Sequence, residues 1–369
     1  MGYTRITLEP AAPVQLRQRY LLHAVLFVLT FLSALMAGTA WAGRDFTAVE
    51  NWGAGLTYAL LLMLFISAHE FGHYVAARYH GIVTTLPYYI PMPLPWLMPF
   101  GTLGAVIRTR SPIRSRRALF DIGVAGPLAG FAVCLAILAV GFATLPGKEY
   151  LYAIHPEYRT LPEIPRYGLT FGDTLLFALM RSLLSPPDAF IPPMNEVYHY
   201  PFLCVGWFGL FVTALNLLPI GQLDGGHVLY AMVGRWQHRI GRWVVIAMAL
   251  IGVGPLLDGL RLLLHGDHPD RFMIVLQELL LPPLDWIATN APWAFAGWSG
   301  WLFWAVLARF LFGIAHPPLD DPRPLDRTRM AVGLIAMLVF VLSIAPAGIY
   351  DVPRVDSGGI IGLLFSQTP

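Results

Sequence analysis

The sequence predicts an all-α, polytopic membrane protein with about seven transmembrane helices and a proline-rich re-entrant hairpin. Three observations carry that reading. Of 369 residues, 56% are hydrophobic and only 12% are charged, against about 25% charged in a soluble domain. Several apolar runs reach the roughly 20 residues that a bilayer core requires of a helix. The arginines alternate between successive connections, as they do where cytoplasmic loops are positive. The net charge of +2 says little by itself. Cys134 and Cys204 lie in apolar runs and read as small core residues, with no disulfide framework or thiolate metal site.

Residues 1–53 hold a short cytoplasmic segment, basic at Arg5, Arg17 and Arg19, and a first span over Tyr20–Ala42. Ala40-Trp41-Ala42 resembles a signal-peptidase site. The apolar run before it exceeds the roughly 7–15 residues of a signal segment, which favours an uncleaved helix. The second span, Ala54–Tyr79, carries Ser67-Ala68-His69-Glu70-Phe71-Gly72-His73 near its C-terminal end. Residues 86–108 then begin with five prolines among apolar side chains, between Pro87 and Pro99. That content rules out a regular helix, and an apolar non-helical backbone must be satisfied by protein or by water in a cavity. The stretch therefore reads as a re-entrant loop or hairpin. Thr102–Thr109 after it has the β-branched content of a strand, and Thr102 heads an edge that an extended peptide can join.

Five arginines lie between Arg108 and Arg117. Beside membrane spans they mark a cytoplasmic loop against a lipid bilayer rather than a nucleic-acid site. The third span is Ala118–Leu145, with Gly126 and Gly130 permitting close helix approach and Pro127 freeing a carbonyl beside a cavity. Residues 146–199 form a polar, proline-rich connection with one amphipathic helix over Thr170–Leu184. Tyr200–Leu218 is the fourth span, continued by Val228–Val233. The fifth, Trp243–Leu264, is interrupted at Gly252, Gly254 and Pro255; residues 266–292 read as interfacial. Trp298–Ile314 and Met330–Ile344 are the sixth and seventh spans. A cytoplasmic N-terminus puts most of the arginines inside.

On a helix His69 and His73 are one turn apart and point the same way. Two neutral imidazoles on one face are ready zinc ligands. Glu70 lies beside the first, where it can take a proton from a water at the metal. Ionisable groups at hydrocarbon depth are costly without a function. The third ligand must come from elsewhere: Asp224, between apolar runs and followed by two glycines that let the backbone bend, is the leading candidate. Asp258 and Asp121 are its rivals, the latter paired with a neighbouring arginine. His227 reads as a helix-end or supporting residue, and His199 needs no special role. Asn216 can donate to a substrate backbone or a developing oxyanion, or serve as an interhelical amide.

Three ordered motifs resemble those of the site-2 protease family of intramembrane zinc metalloproteases: His69-Glu70-Phe71-Gly72-His73, Gly126-Pro127-Leu128-Ala129-Gly130, and Asn216-Leu217-Leu218-Pro219 through Leu223-Asp224-Gly225. The resemblance implies a three-helix catalytic core within residues 54–233, followed by C-terminal helices over 234–369. It implies one zinc per chain on His69, His73 and Asp224, with Glu70 as general base or acid. It places Gly126, Gly130 and Asn216 near the substrate, a transmembrane protein such as an anti-sigma factor or a membrane-tethered regulator. It also implies regulated intramembrane proteolysis in the cell membrane of a prokaryote. Residues 146–199 are too few for the PDZ domain of many members, so the chain looks like the PDZ-less bacterial and plastid ones. Gly221 stands where a second proline is frequent. Competing readings are another membrane-embedded zinc hydrolase such as a prenyl-protein endopeptidase, an inactive relative that binds membrane clients, and a metal transporter.

Overall fold

The computed structural model describes residues 18–94, 99–267, 270–321 and 323–352. Arg5 and Arg17 of the basic N-terminal segment, and Pro95 and Trp96 of the proline run, lie outside the described residues. The chain is mainly helical. Helix α1 spans Tyr20–Trp41 and α2 spans Leu56–Tyr79. At 22 and 24 residues they are about 33 and 36 Å long, enough for a hydrocarbon core of about 30 Å. Strands β1 (Tyr88–Pro91) and β2 (Thr102–Val106) form an antiparallel hairpin around the proline run. The strand expected after Thr102 is thus present.

Helix α3 runs over Arg116–Ala143. Ser115 caps it, accepting a hydrogen bond from the Ala118 amide at 3.2 Å; such a cap satisfies one of the free donors of the first turn. Pro127 is accommodated inside it. The next connection carries α4 (Lys148–Ile154), β3 (Gly168–Phe171) and α5 (Leu175–Leu184). The amphipathic helix starts later than its sequence suggests because Thr174 is its cap, accepting from the Phe177 amide at 3.0 Å. Residues before it go to β3, which pairs antiparallel with β4 (Ile349–Val352) from the far end of the chain.

Helix α6 (Pro201–Asn216) ends at a tight turn, and α7 (Asp224–Val233) starts afresh. The expected continuation of one span through residue 233 is therefore replaced by two helices. Gly221 makes the turn, with φ of +48° and its amide donating to the Ile314 carbonyl at 3.2 Å. Proline can do neither, since its φ is fixed near −65° and it has no N–H. Helix α8 (Trp236–Leu264) passes unbroken through Gly252, Gly254 and Pro255. The two glycines accommodate neighbours instead of interrupting the helix: a Cβ at Gly252 would meet the Leu302 backbone, and one at Gly254 the Ala294 carbonyl.

Helix α9 (Arg271–Asn290), α10 (Gly300–Leu307, extended by a π turn to Phe312) and α11 (Arg327–Ser343) complete the chain. Among the described residues five helices are long and apolar enough to cross a membrane: α1, α2 with the 3-10 turn before it, α3, α8 and α9. Helix α9 joins that set although its segment reads as interfacial. The expected fourth and sixth spans appear as shorter apolar helices of 16 and 13 residues, and the seventh as the 17-residue α11.

Helix α2 packs most extensively on α3, and α3 also contacts α6 and α7. The main core joins Phe65, Cys134, Leu138, Trp207 and Phe208 from α2, α3 and α6. Asp121 at the start of α3 pairs with Arg329 of α11 through two contacts of 2.8 and 2.7 Å, and with His80 at 2.8 Å. Its arginine partner lies more than 200 residues away rather than in the neighbouring cluster.

Candidate metal centre

Helical spacing brings His69 and His73 together on the buried face of α2. Their Nε2 atoms are 3.0 Å apart. The α6–α7 turn delivers Asp224, whose Oδ2 lies 3.5 Å from His69 Nε2 and 3.2 Å from His73 Nε2. Of the three acids weighed from the sequence, only Asp224 reaches the pair. Asp121 is held by Arg329 and His80, and Asp258 by Arg261 at 3.0 Å.

His73 Nδ1 donates to the Ile122 carbonyl at 2.7 Å. That contact fixes the tautomer, because a carbonyl only accepts, and leaves Nε2 as a lone pair facing the other ligand atoms. The sequence carries no signal for this backbone partner on α3. Nitrogen and oxygen donors about 2.0–2.1 Å from a tetrahedral zinc would stand about 3.4 Å from one another. The separations of 3.0, 3.2 and 3.5 Å straddle that value, and two imidazoles with a carboxylate are a zinc donor set. The residues therefore fit zinc.

Helix α3 makes room for these rings. A Cβ on Gly126 would collide with the His73 imidazole, and one on Gly72 with the Ala125 backbone. Gly130 faces His69, where a Cβ would lie 3.2 Å from the His69 Cβ. These glycines are thus placed against the imidazoles themselves. Gly225 and Gly226 do not bend α7, which is regular there. A Cβ on either would strike the backbone of the 217–221 turn, so their smallness lets that turn bring Asp224 into place.

Glu70 is buried, near Ile107 just beyond the end of β2. Ser67, three residues before it, shares a 2.7 Å hydrogen bond with Tyr89 of β1. The hairpin is thus tied to the turn of α2 that carries the ligands. Asn216, the last residue of α6, has Nδ2 3.5 Å from His69 Nε2. Thr102 is buried; its hydroxyl donates to the Ile90 carbonyl at 2.8 Å and accepts from the Gly104 amide at 2.9 Å, so it binds the hairpin internally. His227 packs against His316 with ring centroids 5.0 Å apart.

A membrane-embedded pair of histidines one turn apart, completed by an aspartate from another helix, defines a metallopeptidase-like centre. The profile of "Peptidase family M50" matches residues 57–254, more than half of the 369 residues, and the chain belongs to that family, the site-2 proteases. It is an integral membrane protein, and zinc is the metal that its donor set and its relatives share. The probable zinc metalloprotease EGY2, chloroplastic, of Oryza sativa subsp. indica is 30% identical over 214 residues, covering 58% of this chain and 35% of the relative. The probable zinc metalloprotease EGY1, chloroplastic, of Oryza sativa subsp. japonica is 29% identical over 277 residues, covering 69% and 44%. Its Arabidopsis thaliana counterpart is 29% identical over 221 residues, covering 58% and 37%. The chain thus spans between a third and a half of these curated relatives. No solved structure matches.

Proposed function

We propose that the chain is a zinc-dependent intramembrane endopeptidase that hydrolyses peptide bonds in or near transmembrane segments of membrane proteins. The convergence of His69, His73 and Asp224 beside Glu70 carries this reading. Zinc bound there supplies Lewis acidity to a peptide carbonyl and lowers the pKa of a water. Glu70 takes the proton of that water as its oxygen bonds to the carbonyl carbon. It then passes the proton to the amide nitrogen as the C–N bond breaks. The Asn216 amide, at the edge of the ligand set, donates to the carbonyl oxygen as negative charge develops. Gly126 and Gly130 serve by admitting the ligand imidazoles.

A helical substrate must unwind first, because its carbonyls are occupied by its own hydrogen bonds. Among the described residues the β1–β2 hairpin pairs with no third strand, so an edge of it can receive the unwound strand. Anti-sigma factors and membrane-tethered regulators are the substrate class we assign, in regulated proteolysis. The arginine bias supports a cytoplasmic N-terminus; the cell membrane of a prokaryote is the location we assign, whereas the curated relatives are chloroplastic.

Seven crossings remain the reading we favour, with α6, α10 and α11 as the shorter ones. Gln277 of α9 reaches the Leu264 carbonyl at 2.6 Å. Ala294 and Gly297 after α9 lie against Gly254 and Ile251. Helix α9 therefore folds back only over the last third of α8. Helix α10 goes on from there, placing Ile314 against Gly241. That path favours α9 as the interfacial helix and α10 as the crossing.

Asp224→Asn tests the ligand assignment: zinc occupancy and cleavage of a tagged transmembrane peptide should fall together. Unchanged occupancy would move the third ligand elsewhere.

A further inference from the structure

A second set of metal-ligand side chains lies far from His69, His73 and Asp224. His155 ends α4, while Glu196 and His199 precede α6. His199 is anchored to the Trp41 carbonyl at the end of α1. The first histidine of the other centre is thirteen residues along α2 from Leu56, about 20 Å deeper into the bundle.

The hydrogen bonds around this cluster decide where its protons are. His199 Nδ1 donates to the Trp41 carbonyl at 2.7 Å, and His155 Nδ1 to Glu157 Oε1 at 3.1 Å. Both acceptors lack hydrogens, so each neutral ring carries its proton on Nδ1 and presents a bare lone pair at Nε2. Those two Nε2 atoms nevertheless face one another at 3.0 Å. Glu196 Oε1 accepts from the Tyr158 hydroxyl at 2.9 Å and from Asn195 Nδ2 at 3.0 Å. Its Oε2 is buried without a hydrogen-bond partner, although the residue is only 1% exposed. That oxygen stands 3.7 Å from His155 Nε2 and 3.6 Å from His199 Nε2.

Three lone-pair donors thus converge with no hydrogen among them, and a buried unpaired carboxylate oxygen is costly. A borderline divalent cation resolves all of it at once. The separations of 3.0, 3.6 and 3.7 Å bracket the roughly 3.4 Å between donors around tetrahedral zinc. Each ligand already has the supporting partner that orients metal-bound imidazoles and carboxylates.

We propose that His155, Glu196 and His199 form a second zinc site, separate from the His69–His73–Asp224 centre. It clamps the two ends of the 148–199 connection to the end of α1. Three protein ligands leave one position for water or another donor. The competing arrangement is a proton shared between the two imidazoles, with no metal.

The test uses the full chain in detergent, with Zn2+ as the only added metal, followed by dialysis and metal analysis. His73→Ala disables the other centre, so this protein should retain one zinc per chain against two in the wild type. His73→Ala with His155→Ala should retain none, and His73→Ala with Glu196→Gln should lose the same ion while keeping the shape of the side chain. The rise in melting temperature on zinc addition to His73→Ala should vanish in both double variants. His73→Ala that holds no zinc, or zinc that survives both His155→Ala and Glu196→Gln, would overturn the proposal. A wild type with one zinc, lost on His155→Ala and kept on His73→Ala, would uphold this site and reject the other.

Discussion

The contact between Gly126 and His73 sets up a sharp test of how α3 supports the metal centre. Gly126→Ala places a Cβ inside the space of the His73 imidazole. The ring has no free direction in which to retreat: Nδ1 is held by the Ile122 carbonyl, and Nε2 faces His69 and Asp224. Either α2 and α3 separate or the ligand moves. Overpacking of this kind costs about 1–3 kcal/mol. If that cost falls on the bound state, zinc affinity drops by about 5- to 150-fold, at 1.4 kcal/mol per factor of ten. Titration against a competing chelator reads it directly. Gly130→Ala is the control, since its Cβ would lie 3.2 Å from the His69 Cβ and the Phe65 ring, contacts that a small shift relieves. Wild-type affinity in Gly126→Ala, or an equal loss in Gly130→Ala, would refute the reasoning.

Two further outcomes follow from the same geometry. Gly221→Pro removes the amide bonded to Ile314 and forbids the observed φ of +48°. It should destabilise the α6–α7 turn by on the order of 3 kcal/mol and lower zinc occupancy through Asp224, read by thermal melting in detergent and metal analysis. Acidification should release zinc, because imidazole and carboxylate bind metal only when deprotonated. Retention should therefore fall as pH is lowered below the ordinary histidine value of about 6.5, the bound metal delaying protonation, and zinc held unchanged on dialysis below the ordinary carboxylate value of about 3.9 would contradict this ligand set.

The candidate metal centre is legible where its signal is local. Two imidazoles four residues apart on an apolar helix need no tertiary knowledge, and the proline run with β-branched residues after it announced the hairpin. What stayed hidden depends on distant partners. The β3–β4 pairing joins residues about 180 positions apart through two four-residue strands, too short for a periodic pattern. Asp121 finds its arginine on α11, not among the five nearby. Gly252, Gly254 and Pro255 read as a break because glycine and proline usually punctuate helices. In α8 the smallness of Gly252 and Gly254 allows close approach by Leu302 and Ala294. Gly225 and Gly226 invite the same misreading. His155, Glu196 and His199 match no motif, since the first is separated from the others by the whole of β3 and α5.

The most direct measurement is zinc content and peptide cleavage together, on purified wild type and Glu70→Gln with a tagged transmembrane peptide. The account predicts equal zinc in both and cleavage only in the wild type, a loss of about 10²–10⁴-fold or more for removal of a general base. Cleavage that survives in Glu70→Gln would contradict it.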